Sequence, residues 1–225
     1  MKCFIPAAGR GTRLQPLTDD RPKPLIELNK KPIIWHIVNT FPDIIDEIIM
    51  VVGYKGEMLK EYCGSNFLGR KMTYVTQEKL GGTADALILA KEYLIQEPFL
   101  VHYSDDILDD DSIIRCLKHD LSILVIENPD PRRFGVIVPK KNNLVDSIVE
   151  KPENPPSNLI NTGVMKLDHR IFDYKPTLHS NGEYYLTTMF DYMVKEHETY
   201  YEIANRFISI AVPEDVPKAE KELNS

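Results

Sequence analysis

Strand-like and helix-like segments alternate through the first 128 residues, and this alternation constrains the fold more than any other feature. Runs of strand length recur at 2–7, 46–54, 72–76, 98–106 and 121–127. Apolar residues at helical spacing occupy the intervals, at 32–41, 55–63, 83–95 and around 113–117. Strands and helices that alternate with short connections form βαβ units, with parallel strands and helices on both faces of the sheet. The first half therefore predicts an α/β fold with a mostly parallel sheet.

The pattern changes after about residue 130. Three predicted strands follow one another without an intervening helix, with the sequences FGVIVP, LVDSIVE and LINTGVMKL. A helix over 183–194, short strands and a C-terminal helix near 213–223 are predicted next. No internal repeat and no flexible linker divides the chain. We therefore predict one domain, 1–225, with a mixed sheet and two lobes, 1–128 and 129–225.

The charge distribution limits the partners of the chain. The formal net charge is −7, yet the first 31 residues hold seven Lys or Arg against three Asp or Glu. Nucleic-acid binding requires an extended basic face, which this otherwise acidic sequence lacks, whereas a local anion site is compatible with it. No apolar run approaches the roughly 20 residues that span a bilayer. We therefore expect neither nucleic acid nor a membrane as a partner.

Cysteine usage and the N-terminal residues predict the compartment. The three cysteines are widely spaced, which indicates reduced, buried thiols instead of a disulfide framework. The first apolar run is too short for the core of a secretory signal peptide. We therefore expect a cytoplasmic protein.

A cluster of glycines and basic residues follows the first predicted strand directly. In AAGRGTR, Gly9 and Gly11 permit positive φ and leave backbone N–H groups open to phosphate oxygens. Arg13 adds a permanent charge that can contact phosphate in a bidentate manner. In RPKPL, the prolines on both sides of Lys23 reduce the entropy that is lost when this ammonium is held still. A purely structural turn with a solvated lysine is the alternative.

The stretch from Ala7 to Ile26 fits neither GxxxxGK[ST] nor GxGxxG. It resembles the GxGTRLxPLTxxxPKPLI signature of the sugar-phosphate nucleotidyltransferases, the NDP-sugar pyrophosphorylases that include glucose-1-phosphate thymidylyltransferases and uridylyltransferases. The resemblance covers roughly residues 2–220 and implies a Rossmann-like nucleotidyltransferase fold, with a nucleotide-binding first lobe and a sugar-binding second lobe. It further implies that Arg13 and Lys23 are catalytic. The nucleotide-binding residues that it implies in this loop are Ala7, Ala8, Gly9, Gly11 and Thr12.

Two later segments resemble the rest of the nucleotide side. QEKLGGTADAL resembles the nucleobase loop, which implies that Gln77 reads the base edge while Gly82 and Thr83 pack beside base and ribose. FLVHYSDDIL resembles the strand that ends in the metal-binding acid, which implies that Asp105 is a Mg²⁺ ligand. A carboxylate and substrate phosphates are suitable ligands for this hard cation. Asp106 is the neighbour that could be confused with it.

The sugar side is represented by FGVIVP, IVEKPENPPSN, INTG and GEYYLTTMF. The resemblance implies that Lys151 is a third catalytic residue, which pairs with the 1-phosphate of the sugar. It also implies that the sugar contacts four further residues, Gly135, Glu150, Asn161 and Glu183.

The last motif departs from the family. Members usually close with a segment like WxDxGTPxDYxxA, in which the first Asp is a metal ligand. The matching text here is FISIAVPEDVPKA, where Ser209 stands in place of that Asp. A serine hydroxyl is a poorer Mg²⁺ ligand than a carboxylate.

The resemblance implies an enzyme that uses Mg²⁺ to join an NTP, with UTP or dTTP favoured, to a sugar 1-phosphate, giving NDP-sugar and pyrophosphate. Two alternatives stay open. One is a phosphocholine-type cytidylyltransferase, because the sugar-side motifs are short. The other is a catalytically weak regulatory paralogue that binds NTP or NDP-sugar. The sequence predicts neither the sugar nor the oligomeric state.

Overall fold

The computed structural model describes residues 1–224, and its strands and helices alternate in the first half as predicted. The strands are β1 (Lys2–Ala7), β2 (Glu27–Leu28), β3 (Lys31–Pro32), β4 (Glu47–Val52), β5 (Asn66–Phe67), β6 (Arg70–Thr76), β7 (Phe99–His102), β8 (Asp106–Leu108), β9 (Ser122–Glu127), β10 (Gly135–Pro139), β11 (Val145–Glu150), β12 (Leu159–Leu167), β13 (Tyr200–Ile203) and β14 (Phe207–Ser209). The helices are α1 (Ile33–Asn39), α2 (Gly56–Cys63), α3 (Thr83–Leu89), α4 (Lys91–Leu94), α5 (Asp110–Leu117), α6 (Leu186–Glu196) and α7 (Asp215–Leu223).

A single ten-stranded sheet runs through both halves of the chain. Its main path is β11-β10-β12-β7-β1-β4-β6-β5, and β9 and β13 join it through β12. The four strands β6, β4, β1 and β7 are mutually parallel. The long strand β12 is antiparallel to β7, β9 and β10, and β5 and β11 are antiparallel to their neighbours. The sheet is therefore mixed, and it contains the predicted block of parallel strands, β6, β4, β1 and β7.

Both faces of the parallel strands are covered, which explains their continuous apolar sequences. Alternate residues of β1 face opposite sides, so Cys3 and Ile5 pack in one apolar cluster and Phe4 packs in the other. Residues of α1, α2, α5 and α7 belong to the first cluster, and residues of α3, α4 and α6 belong to the second. With both faces buried, the polar ends of the strands are left as the place for a site.

Three predicted element boundaries are wrong, and hydrogen bonds explain two of them. The predicted helix 83–95 is two helices, because Ala90 (φ −88°, ψ 0°) interrupts it. The predicted strand 98–106 ends at His102, since Asp106–Leu108 form a separate strand, β8, which hydrogen-bonds to β14. The predicted helix 183–194 begins only at Leu186, because backbone hydrogen bonds to residues 81 and 84 hold Tyr184 in an extended conformation.

All three cysteines are buried and unpaired, as predicted. Burial raises the pKa of the Cys63 thiol to about 12 and that of Cys116 to about 11. The thiols therefore remain protonated near neutral pH and contribute to packing. No helix within residues 1–224 has the length and apolar character that crossing a membrane demands.

Candidate active site

The glycine-rich loop leaves the carboxyl end of β1 and closes on itself through a left-handed residue. Gly11 has φ +62°, and a Cβ there would lie 3.1 Å from Thr18 Cγ2 and 3.2 Å from Lys23 Cβ. The Thr18 hydroxyl donates to the Gly11 carbonyl at 3.0 Å. The loop therefore packs directly against the segment that carries Lys23, and a side chain at position 11 would separate the two.

Lys23 is held by its neighbours as the two flanking prolines suggest. Pro22 is extended, and Lys23–Leu25 form one turn of 3-10 helix with Pro24 and Leu25 buried. The Lys23 ammonium donates to Asp105 Oδ2 at 2.8 Å, and the exposed fractions of these side chains are 13% and 36%. The pair joins the basic loop to the acidic loop after β7, so opposite charges face each other at the carboxyl ends of adjacent strands.

Asp105 and Asp106 have different environments. Asp106 begins β8 and lies opposite Ser209 of β14. Burial, together with the adjacent charge of Asp105, raises the pKa of Asp106 well above its ordinary value, although Lys23 and Ser209 act against this. Asp105 keeps a third of its side-chain surface exposed. Of the two carboxylates, Asp105 is therefore the one most open to a ligand.

The predicted nucleobase loop is fixed to the start of α6. Gly82 has φ +96°, and a Cβ there would lie 2.4 Å from the Tyr184 carbonyl oxygen. The backbone of Tyr184 accepts from Ala84 N–H and donates to the Gly81 carbonyl. The Thr83 hydroxyl oxygen accepts from the Leu186 N–H at 2.9 Å. Residues 81–84 of the first half of the chain are therefore joined to residues 184–186 of the second half by direct hydrogen bonds.

Lys151 lies between a carboxylate and an aromatic ring. Its ammonium is 3.2 Å from Glu150 Oε1 and 4.1 Å from the centre of the Tyr185 ring. Burial lowers the pKa of Lys151, but the Tyr185 hydroxyl and Glu150 outweigh this, so that the net pKa is raised. Glu150 also accepts from the Thr187 hydroxyl at 2.7 Å. Lys151 therefore presents a protonated ammonium whose position is fixed by its neighbours.

Asn161 and Gly135 lie deeper on the same side. Asn161 is 7% exposed, and its Oδ1 accepts from the Gly163 N–H at 2.8 Å. Its amide nitrogen has no partner among residues 1–224 in the structure and so remains available as a donor. A Cβ on Gly135 would lie 3.3 Å from Glu150 Oε2. The absence of a side chain at 135 leaves the Glu150 carboxylate room beside the cavity.

Two adjoining cavities, of about 620 and 630 Å³, contain every predicted site residue. The first is lined by the glycine loop, Lys23 and the nucleobase loop, and the second by the sugar-side residues. Seven residues line both cavities: Arg13, Thr83, Tyr103, Asp105, Lys151, Glu183 and Tyr185. The predicted residues are therefore brought together, with four charged groups, Arg13, Asp105, Lys151 and Glu183, where the cavities meet.

Sequence reasoning missed several residues that line these cavities. Tyr103 and Tyr185 line both, and Arg133 and Asp215 line the second. Asp215 accepts from the Ala211 and Val212 N–H groups, so it caps the loop in which the motif departs from the family. Tyr103 lies within FLVHYSDDIL and Tyr185 lies within GEYYLTTMF. Their place in these motifs is the one sequence signal that could have identified them.

Comparison with known proteins agrees with this geometry. The family model described as nucleotidyl transferase matches residues 2–208. The chain belongs to this family. The motif resemblance is thereby confirmed, and the nucleotidyl transferase family accounts for nearly the whole described chain.

Individual members of the nucleotidyl transferase family show how far the similarity extends. The bifunctional protein GlmU of Methanocaldococcus jannaschii is 38% identical over 200 residues, which cover 88% of this chain and 48% of that protein. The UTP–glucose-1-phosphate uridylyltransferase AglF of Haloferax volcanii is 31% identical, and 99% of this chain and 96% of AglF are covered. This chain thus spans about half the length of the archaeal bifunctional relatives that it matches.

A solved structure confirms the fold class. The crystal structure of a candidate glucose-1-phosphate thymidylyltransferase from Bacillus anthracis, in complex with sucrose, superposes on this chain with a TM-score of 0.84. The two sequences are 26% identical. The match covers 99% of this chain and 94% of that one. The Rossmann-like nucleotidyltransferase fold predicted from the sequence is therefore correct.

The residues present are compatible with the Mg²⁺ that the family resemblance implies. Residues 1–224 contain no group of three or more His, Cys, Asp or Glu side chains arranged to hold a metal. Mg²⁺ is commonly held by one or two carboxylates together with substrate phosphates and waters, so a complete protein cage is not required. The accessible carboxylate of Asp105, which lines the same cavity as the glycine-rich loop, fits such a site.

Proposed function

We propose that the protein transfers a nucleotidyl group from UTP or dTTP to a sugar 1-phosphate and releases pyrophosphate. The observation that carries this proposal is the pair of adjoining cavities, with Arg13, Asp105 and Lys151 lining both. Two cavities that share charged residues suit two anionic substrates that must meet at one phosphorus atom. Family membership and the uridylyltransferase AglF support the same reaction.

The chemistry requires one in-line displacement. An oxygen of the sugar 1-phosphate forms a bond to the α-phosphorus while the bond from that phosphorus to the bridging oxygen breaks. The electron pair leaves with pyrophosphate, and the attacking phosphate oxygen carries no proton that must be removed. Catalysis then consists of positioning two anions and stabilising the developing charge. No covalent enzyme intermediate is needed.

The chain supplies one cationic or N–H group for each phosphate. The N–H groups of the loop around Gly9 and Gly11, with Arg13, bind the β- and γ-phosphates. Lys23, which is 13% exposed and held by Asp105, contacts the α-phosphate. Lys151, which stays protonated beside Glu150 and Tyr185, holds the attacking phosphate.

Asp105 would hold the Mg²⁺ ion. When bound, the ion neutralises charge on the triphosphate and so favours departure of pyrophosphate. The sugar hydroxyls would contact Glu150, Asn161 and Glu183, which line the second cavity. Glucose 1-phosphate is the first acceptor to test, because it is the substrate in the name of AglF, a relative whose match covers 99% of this chain.

Ser209 favours a second candidate function, a regulatory protein that binds NTP or NDP-sugar without efficient turnover. Its hydroxyl occupies the position at which the family motif has a metal-binding aspartate, and it lines the second cavity with Asp105 and Asp106. The enzyme is favoured over the regulatory protein by the presence of Arg13, Lys23 and Lys151 in the site.

A pyrophosphate-release matrix distinguishes these functions. The purified protein is incubated at millimolar Mg²⁺ with each of ATP, GTP, CTP, UTP and dTTP against glucose 1-phosphate, other sugar 1-phosphates and phosphocholine. Release with UTP or dTTP and a sugar 1-phosphate is expected. Release only with CTP and phosphocholine would assign the cytidylyltransferase reaction, and nucleotide binding without release under any condition would assign the regulatory role.

A further inference from the structure

The side chain of Gln77 is oriented by two hydrogen-bond acceptors. Its Nε2 donates to Asp85 Oδ2 at 2.8 Å and to the Gly82 carbonyl oxygen at 3.3 Å. A carboxylate and a carbonyl can only accept, so only the NH₂ end of the amide can face them. The orientation of this amide therefore follows from the chemistry of its partners, with Oε1 at the opposite end.

The Oε1 atom is the part of Gln77 that is left for a ligand. Gln77 is 4% exposed, and it lines the first cavity. Both amide hydrogens are engaged, and Oε1 has no hydrogen-bond partner within residues 1–224. Toward the cavity, Gln77 therefore acts as a hydrogen-bond acceptor and not as a donor.

Asp85 itself has little freedom to move. It lies in the first turn of α3, two residues after the helix starts at Thr83. Its carboxylate covers the backbone of Gly81 so closely that a Cβ at 81 would lie 2.6 Å from Asp85 Oδ2. The contact of Asp85 with Gln77 therefore depends on the absence of a side chain at position 81.

We infer that Asp85 is a positioning residue that sets the base selectivity of the site, by fixing Gln77 as an acceptor toward the nucleobase. Uracil and thymine carry a hydrogen on N3, which can be donated to Oε1, whereas N3 of cytosine is itself an acceptor. Two acceptors that face each other leave a polar atom unsatisfied and repel. The site therefore selects a uracil or thymine nucleotide over a cytosine nucleotide. This inference refines the proposed function at the same nucleotide site.

The inference is tested by nucleotide binding, which does not depend on turnover. UDP and CDP share ribose and diphosphate and differ only at the edge of the base, so metal and phosphate contacts cancel in the ratio of their dissociation constants. Isothermal titration of the wild-type protein with both, at fixed Mg²⁺, should show tighter binding of UDP. Asp85→Asn should reduce the ratio about tenfold, because an Asn side chain can pair with either end of the Gln77 amide.

Two further variants separate positioning from a structural role. Glu78→Gln removes an exposed acid from the same loop, outside both cavities, and should keep the wild-type ratio. Gly81→Ala displaces the Asp85 carboxylate without changing its charge and should reduce the ratio as Asp85→Asn does. A residue that only stabilises the first turn of α3 would lower the thermal midpoint and weaken UDP and CDP equally.

The inference is overturned if the wild-type protein binds CDP as tightly as UDP, or if Asp85→Asn and Gly81→Ala both keep the wild-type ratio. If Asp85→Asn does not fold, the Gly81→Ala ratio decides. Failure of the proposed function would look different. No pyrophosphate would be released with any sugar 1-phosphate, while the preference for UDP and its loss in Asp85→Asn would persist.

Discussion

The Lys23 ammonium lies 2.8 Å from the Asp105 carboxylate and joins two loops that are 82 residues apart in the chain. Each group compensates the charge of the other while both face the cavity. The pair keeps a cation facing the cavity that is proposed to bind the triphosphate. The Asp105 carboxylate, with a third of its side-chain surface exposed, is also accessible to the proposed metal ion.

Removal of Lys23 should abolish most turnover with little effect on folding. Lys23→Ala is expected to lower kcat by roughly 10²–10³-fold, because one charge that stabilises the reacting phosphate is lost. Pyrophosphate release under saturating substrates measures this. Lys79→Ala removes an exposed lysine that lines neither cavity and serves as the matched control, with an unchanged rate. Near-normal rates in both Lys23→Ala and Arg13→Ala would contradict the assigned roles.

A carboxylate at position 209 should increase metal affinity. Ser209 lies opposite Asp106 and lines the second cavity with Asp105, so Ser209→Asp adds a third acid to this cluster. We expect tighter Mn²⁺ binding, measured by the loss of the free-ion signal in electron paramagnetic resonance. Repulsion between the acids should also lower the thermal midpoint in EDTA and raise it again with Mg²⁺. Ser209→Asn introduces a side chain of the same shape as aspartate but without its charge, and it serves as the control. Equal Mn²⁺ affinity in Ser209→Asp and Ser209→Asn would contradict this prediction.

The general fold and the clustering of the predicted site residues around two adjoining cavities were predictable because they are encoded locally. Continuous apolar runs fix the parallel strands, and motifs that follow strand ends are brought together by the sheet itself, as for Gly9, Lys23 and Asp105. The pairing of Ser209 with Asp106 was not predictable. It depends on a register between β8 and β14, two three-residue strands about a hundred residues apart. Hydropathy carries no information about such short pairings.

The same limit explains what was missed at the base and sugar sides. The sequence indicated that Gln77 faces a base, but the direction of its amide depends on contacts with Asp85 and Gly82 in the folded loop. Tyr185 was assigned to a helix, whereas the structure ends the extended segment there and places its ring over Lys151. Both features arise from tertiary hydrogen bonds, which no periodicity records.

Stability should decrease as the pH falls below about 6.5, in part because of His102. This residue is fully buried on β7, and burial lowers its pKa to about 4, although the Tyr103 carbonyl and Asp105 act against this. A histidine with a depressed folded pKa binds its proton only in the unfolded chain between these two values. Above pH 6.5, neutral His102 contributes about 3 kcal/mol to the free energy of unfolding. This contribution is lost as the pH falls toward 4.

Urea unfolding at several pH values measures this contribution. His102→Gln has a neutral side chain that does not titrate, so its free energy of unfolding should fall less steeply than that of the wild type between pH 6.5 and 4. His36→Gln, which removes a partly buried histidine with a single hydrogen bond to the Leu28 carbonyl, serves as the comparison. Parallel profiles for His102→Gln and the wild type would contradict the buried neutral histidine.

Gly9 offers a test of backbone contact with phosphate that is separate from folding. No atom lies within 4 Å of a Cβ built at Gly9, and its φ is outside the left-handed region, so Gly9→Ala should leave the free energy of unfolding unchanged. If the N–H groups here bind the triphosphate, the added methyl group should weaken UTP binding by tenfold or more, on the order of the loss of one charge-assisted hydrogen bond.

Gly64→Ala is the inverse control. Gly64 has φ +62° with open space around it and lines neither cavity, so this variant should lose about 1 kcal/mol of stability and keep its UTP affinity. Equal UTP affinity in Gly9→Ala and the wild type would show that the backbone at Gly9 does not contact the phosphates.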